Sequence, residues 1–139
     1  MTHDRANALI AHILGAIASG DHASIEAMLA DQVELNTPRF LKPIRDRNHV
    51  VIVLQTIPKV IENFHYVRTW PAADEAIMEF KGNIGAIEVH GLDIFHLDAS
   101  GKVDELTVFI RPTKAHTALG EAEDALILAQ LEKAKGGAA

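Results

Sequence analysis

One carboxylate interrupts an apolar alternation late in the chain, and it is the first candidate for chemistry. Two successive strand-like segments carry, at alternate positions, Met78, Phe80, Val89, Gly91, Asp93, Phe95 and Leu97. Asp93 is therefore expected mid-strand on an apolar face. Burying an unpaired carboxylate costs several kcal/mol unless its pKa rises until it is neutral. A carboxyl group in an apolar pocket is what general acid–base catalysis requires; otherwise Asp93 bonds to backbone or a loop and only shapes the pocket.

Three polar side chains are available as partners for this carboxylate: Arg111, Thr107 and the lone Tyr66. Arg111 stands at the end of the last strand-like segment. It either pairs with Asp93, anchors a ligand carbonyl or carboxylate, or points to solvent. We take Asp93, Arg111 and Tyr66 as the catalytic candidates.

The candidate substrate-binding residues are mostly aromatic. They are Phe40, Met78, Phe80, Phe95, Thr107, Phe109 and Trp70. Tyr66 and Trp70 are expected on one strand face with Phe64 and Arg68, where an aromatic stripe either lines a pocket or packs in the core. Asn36 and Arg39 flank the first predicted strand and are candidates for the pocket mouth.

The eight histidines do not form a metal-binding pattern. His90 and His96 share a strand face, but six residues separate them by about 20 Å. The chain has no HExxH and no His-x-His motif. His3, His22 and His116 are expected at the surface. The chain has no cysteine, glycine-rich phosphate loop or serine elbow, so no cofactor and no metal are predicted.

The hydrophobic pattern predicts helices at 4–18, 21–29, 46–57 and about 113–135, the third closed by Pro58. Strands are predicted at 33–36, 61–70, 76–83, 87–97 and 103–111, the last four as an antiparallel meander. Helices segregated from strands indicate an α+β fold. Residues 1–139 are expected to form one domain, with a core at about 5–118 and a frayed tail at 136–139.

The register of the last two hairpins decides which side chains face inward. A connection near 83–86 would place Phe80 opposite Val89. For the last strand we favour a register with Val103, Glu105, Thr107, Phe109 and Arg111 inward, and Asp93 beside Thr107. The alternative is a one-residue slip that turns Leu106, Val108 and Ile110 inward. Leu92 and Ile94 lie on the other face, where a second copy of the chain is the expected cover.

Composition narrows the class of protein. The chain has 139 residues, a formal net charge of −6 and 48% hydrophobic residues, which suits one globular domain. An acidic chain has no electrostatic footprint for nucleic acid or for an anionic membrane. The N-terminus has no apolar signal region and no stretch of about 18 apolar residues occurs, so a cytoplasmic protein is expected.

The segment from Glu88 to Pro112, with its Gly91-Leu-Asp93 core, its Asp98-Ala-Ser-Gly101 turn and its Arg111-Pro112 end, resembles the C-terminal half of SnoaL-like proteins. These belong to the nuclear-transport-factor-2-like superfamily. The segments 31–38 and 63–68 are similar to the family's first strand and a later strand. The resemblance covers about residues 5–118.

This resemblance implies a cone-shaped α+β roll, in which a strongly curved, mainly antiparallel sheet wraps around helices and leaves an apolar pocket. It implies a homodimer through the outer sheet face. It places Asp93 at the family's pocket aspartate. Limonene-epoxide-hydrolase-like members carry an arginine two residues before that aspartate; here Gly91 stands there, so their Asp-Arg-Asp mechanism is not implied. The full acid set of ketosteroid-isomerase-like members is not matched either.

Two functions follow as expectations. The first is a cofactor-independent isomerase, cyclase or lyase, in which Asp93 moves a proton on a hydrophobic carbonyl-bearing metabolite. Arg111 or Tyr66 would polarise or orient the substrate. The second is a non-catalytic protein of the same fold that binds a small hydrophobic ligand or serves as a dimeric module.

Overall fold

The computed structural model describes residues 3–21 and 23–136, so the predictions for His22 and for the end of the tail lie outside the described residues. The elements are, in chain order, α1 (Asp4–Ser19), α2 (Ala23–Ala27), β1 (Leu29–Asn36), α3 (Arg47–Val60), β2 (Glu62–Pro71), β3 (Glu75–Ile84), β4 (Ile87–Leu97), β5 (Val103–Arg111) and α4 (Thr113–Gly136).

Local chemistry explains the ends of two helices. The Asp46 side chain caps α3 by accepting hydrogen bonds from the backbone N–H groups of Asn48 and His49, at 3.0 and 3.3 Å. Gly20 ends α1 with a φ of 74°. Pro58 was expected to close α3, but the helix continues to Val60. Pro58 lies in the last turn of α3 and removes one backbone hydrogen bond, but i→i−4 bonding continues after it, because Ile61 N–H donates to the Ile57 carbonyl at 3.0 Å.

The five strands form one curved sheet in the order β1-β5-β4-β3-β2. The last four strands are the predicted antiparallel meander, and β1 adds to its far edge parallel to β5. Helices α1, α3 and α4 pack against the sheet. The α+β fold with a curved sheet and N-terminal helices is therefore confirmed.

The hairpin between β3 and β4 is tighter than predicted. Ile84 pairs with Ile87 across a turn of two residues, and Gly85, the first of the two, has a φ of 59°. Phe80 consequently lies opposite Gly91, not opposite Val89. The error is a shift of two residues, and because strand side chains alternate, it leaves every side chain on its predicted face.

The favoured register of β5 is wrong beyond its first residue. The turn itself is as expected, with Asp98 N–H donating to Lys102 O at 2.8 Å and Gly101 at a φ of 87°, and Val103 faces inward. A β-bulge follows, since Leu97 pairs with Val103 while His96 pairs with Glu105. The extra residue reverses the alternation. The inward side chains are thereafter those of the alternative register, Leu106, Val108 and Ile110.

The register of β2 against β3 shifts twice, between Glu62 and His65 and between Tyr66 and Arg68, and the second shift decides which side chains face inward. Tyr66 pairs with Phe80 and Arg68 pairs with Glu79, so Val67 is the extra residue. Phe64 and Tyr66 therefore face the helices, whereas Arg68 and Trp70 were expected beside them and lie on the outer face. Bulges bend and twist the strand that carries them, so the two bulges contribute to the curvature of the sheet.

The core lies between the inner sheet face and the helices. Its fully buried side chains come from all layers and include Leu35, Val50, Met78, Phe80, Val89, Leu97, Val103 and Leu106. Within the residues described, no helix is long and apolar enough to cross a bilayer.

Gly91 has no room for a side chain, and this predicts the outcome of a substitution. A methyl group at Gly91 would collide with the Phe109 carbonyl oxygen and with the Phe80 ring. Backbone cannot yield cheaply, so Gly91→Ala is expected to lower the free energy of unfolding by about 1–3 kcal/mol. Urea unfolding measures the change.

In helix α1, Gly15 has nothing within 4 Å of an added methyl group, so Gly15→Ala should stabilise the fold by about 0.5–1 kcal/mol. Equal effects of the two substitutions would contradict this account.

Candidate functional site

An apolar cavity of about 80 Å³ lies between the inner face of the sheet and the helices. All three long helices and all strands from β1 to β5 contribute to its wall. The apolar side chains of the wall include Ile13, Ile17, Ile25, Met28, Leu35, Val53, Leu54, Ile57, Phe64, Phe80, Phe95, Leu106, Val108, Ile110 and Leu119. Pro38 and Arg39, which are exposed, belong to the same wall and mark the side that opens to solvent.

Asp93 projects from the middle of β4 into this cavity and is only 9% exposed. The Tyr66 hydroxyl donates a hydrogen bond to Asp93 Oδ2 at 2.8 Å. In the described part of the chain, Oδ1 accepts no hydrogen bond, and no cation pairs with the carboxylate. One oxygen is thus held in place, and the other is left for a ligand.

Burial controls the protonation of this pair. Loss of water raises the pKa of Asp93 to about 7, although the Tyr66 hydrogen bond acts in the opposite direction. The pKa of Tyr66 is raised well above its usual value, chiefly by burial and then by the neighbouring Asp93 charge. Asp93 can therefore both take up and release a proton near neutral pH, whereas Tyr66 stays a neutral hydroxyl donor.

Aromatic packing fixes the Tyr66 ring. Phe64 meets it edge-on with ring centroids 5.2 Å apart, and Phe80 does so at 6.4 Å. Phe64 and Phe80 stack on each other at 5.1 Å. Because the Phe80 ring lies over Gly91, the missing side chain at Gly91 is part of how the tyrosine is held. The same contact leaves no space at position 91 for an arginine side chain.

Arg111, the third catalytic candidate, is not in the cavity. It lies on the outer sheet face, where Nη1 donates to His90 Nδ1 at 3.1 Å. The bulge in β5 causes this, because it turns the odd-numbered residues that follow it, from Glu105 onward, outward. Of the three catalytic candidates, the structure brings together Asp93 and Tyr66.

Five of the seven substrate-binding candidates also lie outside the cavity wall, and only Phe80 and Phe95 line it. Phe40, Trp70 and Phe109 are 53%, 42% and 55% exposed. Thr107 accepts a hydrogen bond from Asn36 Nδ2 at 3.0 Å, so neither of these two residues reaches the mouth. Met78 faces inward as expected but is fully buried in the core.

The cavity wall also contains a second set of polar side chains, and two of them, His116 and Glu123, were not predicted to lie there. Helix α4 contributes His116, Gly120 and Glu123, and Arg39 approaches from the loop after β1. His116 was expected at the surface, but its Nε2 atom is buried. Glu123 lies in a run of charged residues, which is typical of a solvated helix face. Helical periodicity is the sequence signal that could have revealed these residues. Glu123 lies four residues from each of Leu119 and Ile127, which are buried, and His116 directly follows the buried Ala115.

The outer face of the sheet carries a row of charged side chains across four strands. Arg68 Nε donates to Glu79 Oε1 at 2.5 Å, and His90 Nε2 donates to Glu79 Oε2 at 2.6 Å. Because Arg111 can only donate, His90 Nδ1 must accept and Nε2 must carry the proton. The Arg68 hydrogen bond and then that of His90 lower the pKa of Glu79 to about 2. This row is separate from the cavity.

Comparison with solved structures finds close matches to the fold. A steroid delta-isomerase from Pseudomonas aeruginosa is 27% identical with a TM-score of 0.85, over 92% of this chain and 95% of that one. An uncharacterized bacterial protein with a cystatin-like fold from Silicibacter pomeroyi is 28% identical with a TM-score of 0.82, over 91% and 89%. A SnoaL-like protein of unknown function from Burkholderia thailandensis matches at 18% identity and a TM-score of 0.66, over 81% and 99%. No protein-family model and no curated protein matches the chain.

The fold and the inward-facing aspartate define an α+β roll with an internal pocket. The chain has the same fold as the steroid delta-isomerase and, at lower identity, as the SnoaL-like protein, which agrees with the fold that the resemblance in its C-terminal half implied. Some of its structural neighbours are isomerases by description and others have no known function, so the shared fold alone does not define an activity.

The raised pKa of Asp93 predicts a specific dependence of stability on pH. Between its unfolded pKa near 3.8 and its folded pKa of about 7, the folded state binds more protons, so stability falls as pH rises through this window. Asp93→Asn removes that penalty. The variant should gain up to about 4 kcal/mol over the wild type at pH 8, and little at pH 4.

Urea unfolding of both proteins at several pH values measures this difference. Asp31→Asn, at an exposed position of β1, is the matched control and should show no pH-dependent gain. A constant difference between wild type and Asp93→Asn from pH 4 to pH 8 would refute the raised pKa.

Proposed function

We propose that the protein is a cofactor-independent enzyme of the isomerase, cyclase or lyase type, which transfers a proton on a hydrophobic, carbonyl-bearing small molecule. The observation that carries the proposal is the Tyr66–Asp93 pair, 2.8 Å apart and buried in a mainly apolar cavity. The similarity to a steroid delta-isomerase supports the same reaction class.

Asp93 has the properties of a general base for such a reaction. A base works best when its pKa lies near the working pH, and burial raises the pKa of Asp93 to about 7. Tyr66 occupies Oδ2, so Oδ1 is the oxygen that meets the substrate. The mainly apolar wall lowers the local dielectric constant, which strengthens the electrostatic interactions of Asp93 within the cavity.

The proton balance needs no second reactant. Ionised Asp93 takes a proton from the carbon next to the carbonyl group; the C–H bond breaks, an O–H bond forms, and the electron pair moves to the carbonyl oxygen. Once Asp93 is neutral, the Tyr66 hydroxyl is free to donate to this oxyanion. Return of the proton to another carbon gives an isomer. Attack of the enolate carbon on a second carbonyl group of the same molecule gives a ring, and the alkoxide formed there takes the proton back from Asp93.

The second candidate is a protein that binds an apolar ligand without chemistry. The extent of the apolar wall favours it, because fifteen or so hydrophobic side chains surround one acid–base pair. In this case Asp93 and Tyr66 bind a polar group of the ligand, and no proton is exchanged with carbon.

Exchange of carbon-bound hydrogen for deuterium separates the two candidates. The wild type in D2O should exchange the hydrogens next to the carbonyl group of 2-decalone, and should isomerise 5-androstene-3,17-dione, at rates that rise with pH through about 7. Asp93→Asn should lower the exchange rate at least about 100-fold. Tyr66→Phe should lower it roughly tenfold or more. Proton NMR follows both reactions.

The exposed Asp31→Asn variant is the control and should exchange at the wild-type rate. If the wild type and Asp93→Asn bind these ketones equally well and neither accelerates exchange above buffer, the binding function is correct and the enzymatic one is wrong.

We propose further that the protein is a homodimer through its outer sheet face. Trp70, Ile77, Ile94 and Thr107 form one row across the strands, with Leu92 and Phe109 in the next. Trp70 and Phe109 are large and exposed. A continuous apolar area of this kind is typical of a protein–protein interface, and a copy of the same surface would cover it symmetrically.

Sedimentation of Leu92→Glu tests the dimer. The wild type is expected to sediment as a dimer at micromolar concentration and Leu92→Glu as a monomer, because a buried unpaired carboxylate at the centre of the interface costs several kcal/mol. Leu128→Glu places the same charge on the 60%-exposed Leu128 of α4 and should remain dimeric. A monomeric wild type would disprove this arrangement.

A further inference from the structure

The end of the cavity at helix α4 contains a second carboxyl group that the proton-transfer chemistry does not use. Glu123 is only 7% exposed and lines the cavity. Its Oε2 atom is buried and has no hydrogen-bond partner among the residues that the structure describes. A buried carboxyl oxygen without a partner is costly, so native proteins rarely keep one unless a ligand or water satisfies it.

Neighbouring residues shape the space around Glu123. Its helix places His116, Gly120 and Glu123 on one face, within an arc of about 60°. Gly120 leaves room for the Arg39 guanidinium, since a Cβ at that position would stand 3.2 Å from Arg39 Nε. Asp124 holds Arg39 by two hydrogen bonds, one from Nη1 and one from Nη2 at 3.1 Å. Arg39 is thus already paired and does not offer a free charge to an anionic ligand.

A second unpartnered atom belongs to the same wall. His116 Nε2 is buried and, among residues 3–21 and 23–136, has no hydrogen-bond partner. His116 precedes Glu123 by two helical turns, about 10 Å along the axis. Two orphaned polar atoms on one face of α4, both bordering the cavity, indicate that this wall is built to meet polar groups of an occupant.

We propose that Glu123 forms a second ligand subsite, which accepts a hydrogen bond from a hydroxyl group of the ligand. The inference rests on the proposed function. It narrows the ligand to an apolar molecule that carries a carbonyl group for the Asp93–Tyr66 pair and, elsewhere on its skeleton, a hydroxyl group for Glu123.

A hydroxyl group fits this subsite better than other polar groups do. Burial raises the pKa of Glu123 to about 7, and Arg39 opposes the shift. Both protonation states are therefore populated near neutrality. A hydroxyl group can donate to the ionised form and accept from the neutral form, whereas a ketone can only accept and an ammonium group can only donate. The carboxyl groups of Glu123 and Asp124 disfavour an anion.

The two carboxyl groups have different partners on different elements. Asp93 on β4 accepts from Tyr66, whereas Glu123 on α4 lies near Arg39, which lowers its pKa, and Asp124, which raises it. Glu123 is therefore assigned to recognition of a second polar group of the ligand, and the base remains Asp93.

Matched ligands test the subsite. Testosterone, androst-4-ene-3,17-dione and androst-4-en-3-one share one ketone and differ only in a distant hydroxyl group, ketone or hydrogen. A smaller series is 2-decalone with and without a hydroxyl group on its second ring. By isothermal titration calorimetry at pH 7, the wild type should bind the hydroxylated member of at least one series about 5–10-fold more tightly than the member without oxygen there.

Substitution at Glu123 should remove that preference. Glu123→Met keeps the unbranched shape without polar atoms, and its preference should fall to within about twofold. Glu123→Gln keeps hydrogen-bonding atoms and should retain part of it. The exposed Glu121→Gln variant of the same helix is the control and should keep the wild-type preference. Thermal unfolding should show Glu123→Met at least as stable as the wild type, because a buried unpaired carboxyl group is lost.

The outcomes distinguish this inference from the proposed function. If the wild type binds the ketones without a preference, or if Glu123→Met keeps the preference, the subsite is wrong while the carbonyl pocket stands. If no member of either series binds the wild type, the proposed ligand class fails and the subsite fails with it. If Glu123→Met does not fold, Glu123 has a structural role and the inference is likewise overturned.

Discussion

The structure depends on one constraint: a carboxyl group is held inside a mainly apolar cavity, and none of the described residues places a cation beside it. The Tyr66 hydroxyl supplies the one hydrogen bond that Asp93 accepts within the described chain, and burial outweighs that bond in setting the pKa. A lysine or arginine partner would stabilise the ionised form and remove the protonated one near neutral pH. The burial of Asp93 without a cation therefore lowers the stability of the folded state at high pH, and it leaves a carboxyl group that can change its charge near neutral pH.

The rest of the molecule supports this arrangement. Phe64 and Phe80 hold the tyrosine ring, and Gly91 makes space for Phe80. A carboxylate on the outer face has the opposite pKa shift. Glu79 is almost completely covered, but Arg68 and His90 donate hydrogen bonds to its two oxygens and lower its pKa to about 2. Glu79 and Asp93 lie on adjacent strands and on opposite faces of the sheet. Their pKa values shift in opposite directions because Glu79 has the cationic Arg68 and hydrogen bonds to both its oxygens, whereas Asp93 accepts one hydrogen bond from a neutral hydroxyl group.

Sequence reasoning predicted the element order, the meander and the inward direction of Asp93, since these follow from periodicity. It failed where strands add a residue. The bulge at Val67 separates Tyr66 from Trp70, and the one after Val103 turns Thr107, Phe109 and Arg111 outward. A period of two does not reveal a bulge. Glu123 was missed for a different reason: its burial depends on how α4 packs over the sheet, which local composition does not determine.

The contact between Gly91 and Phe80 also bears on how this cavity could acquire other chemistry. A long side chain cannot enter at position 91 while the phenylalanine ring occupies that space. Replacement of Phe80 by a small residue would remove one collision, but the collision with the Phe109 carbonyl oxygen would remain and the ring of Tyr66 would lose a packing partner. An evolutionary or engineered route towards an arginine-assisted hydrolase therefore needs a shift of the β5 backbone and a new support for the tyrosine, besides changes at positions 80 and 91.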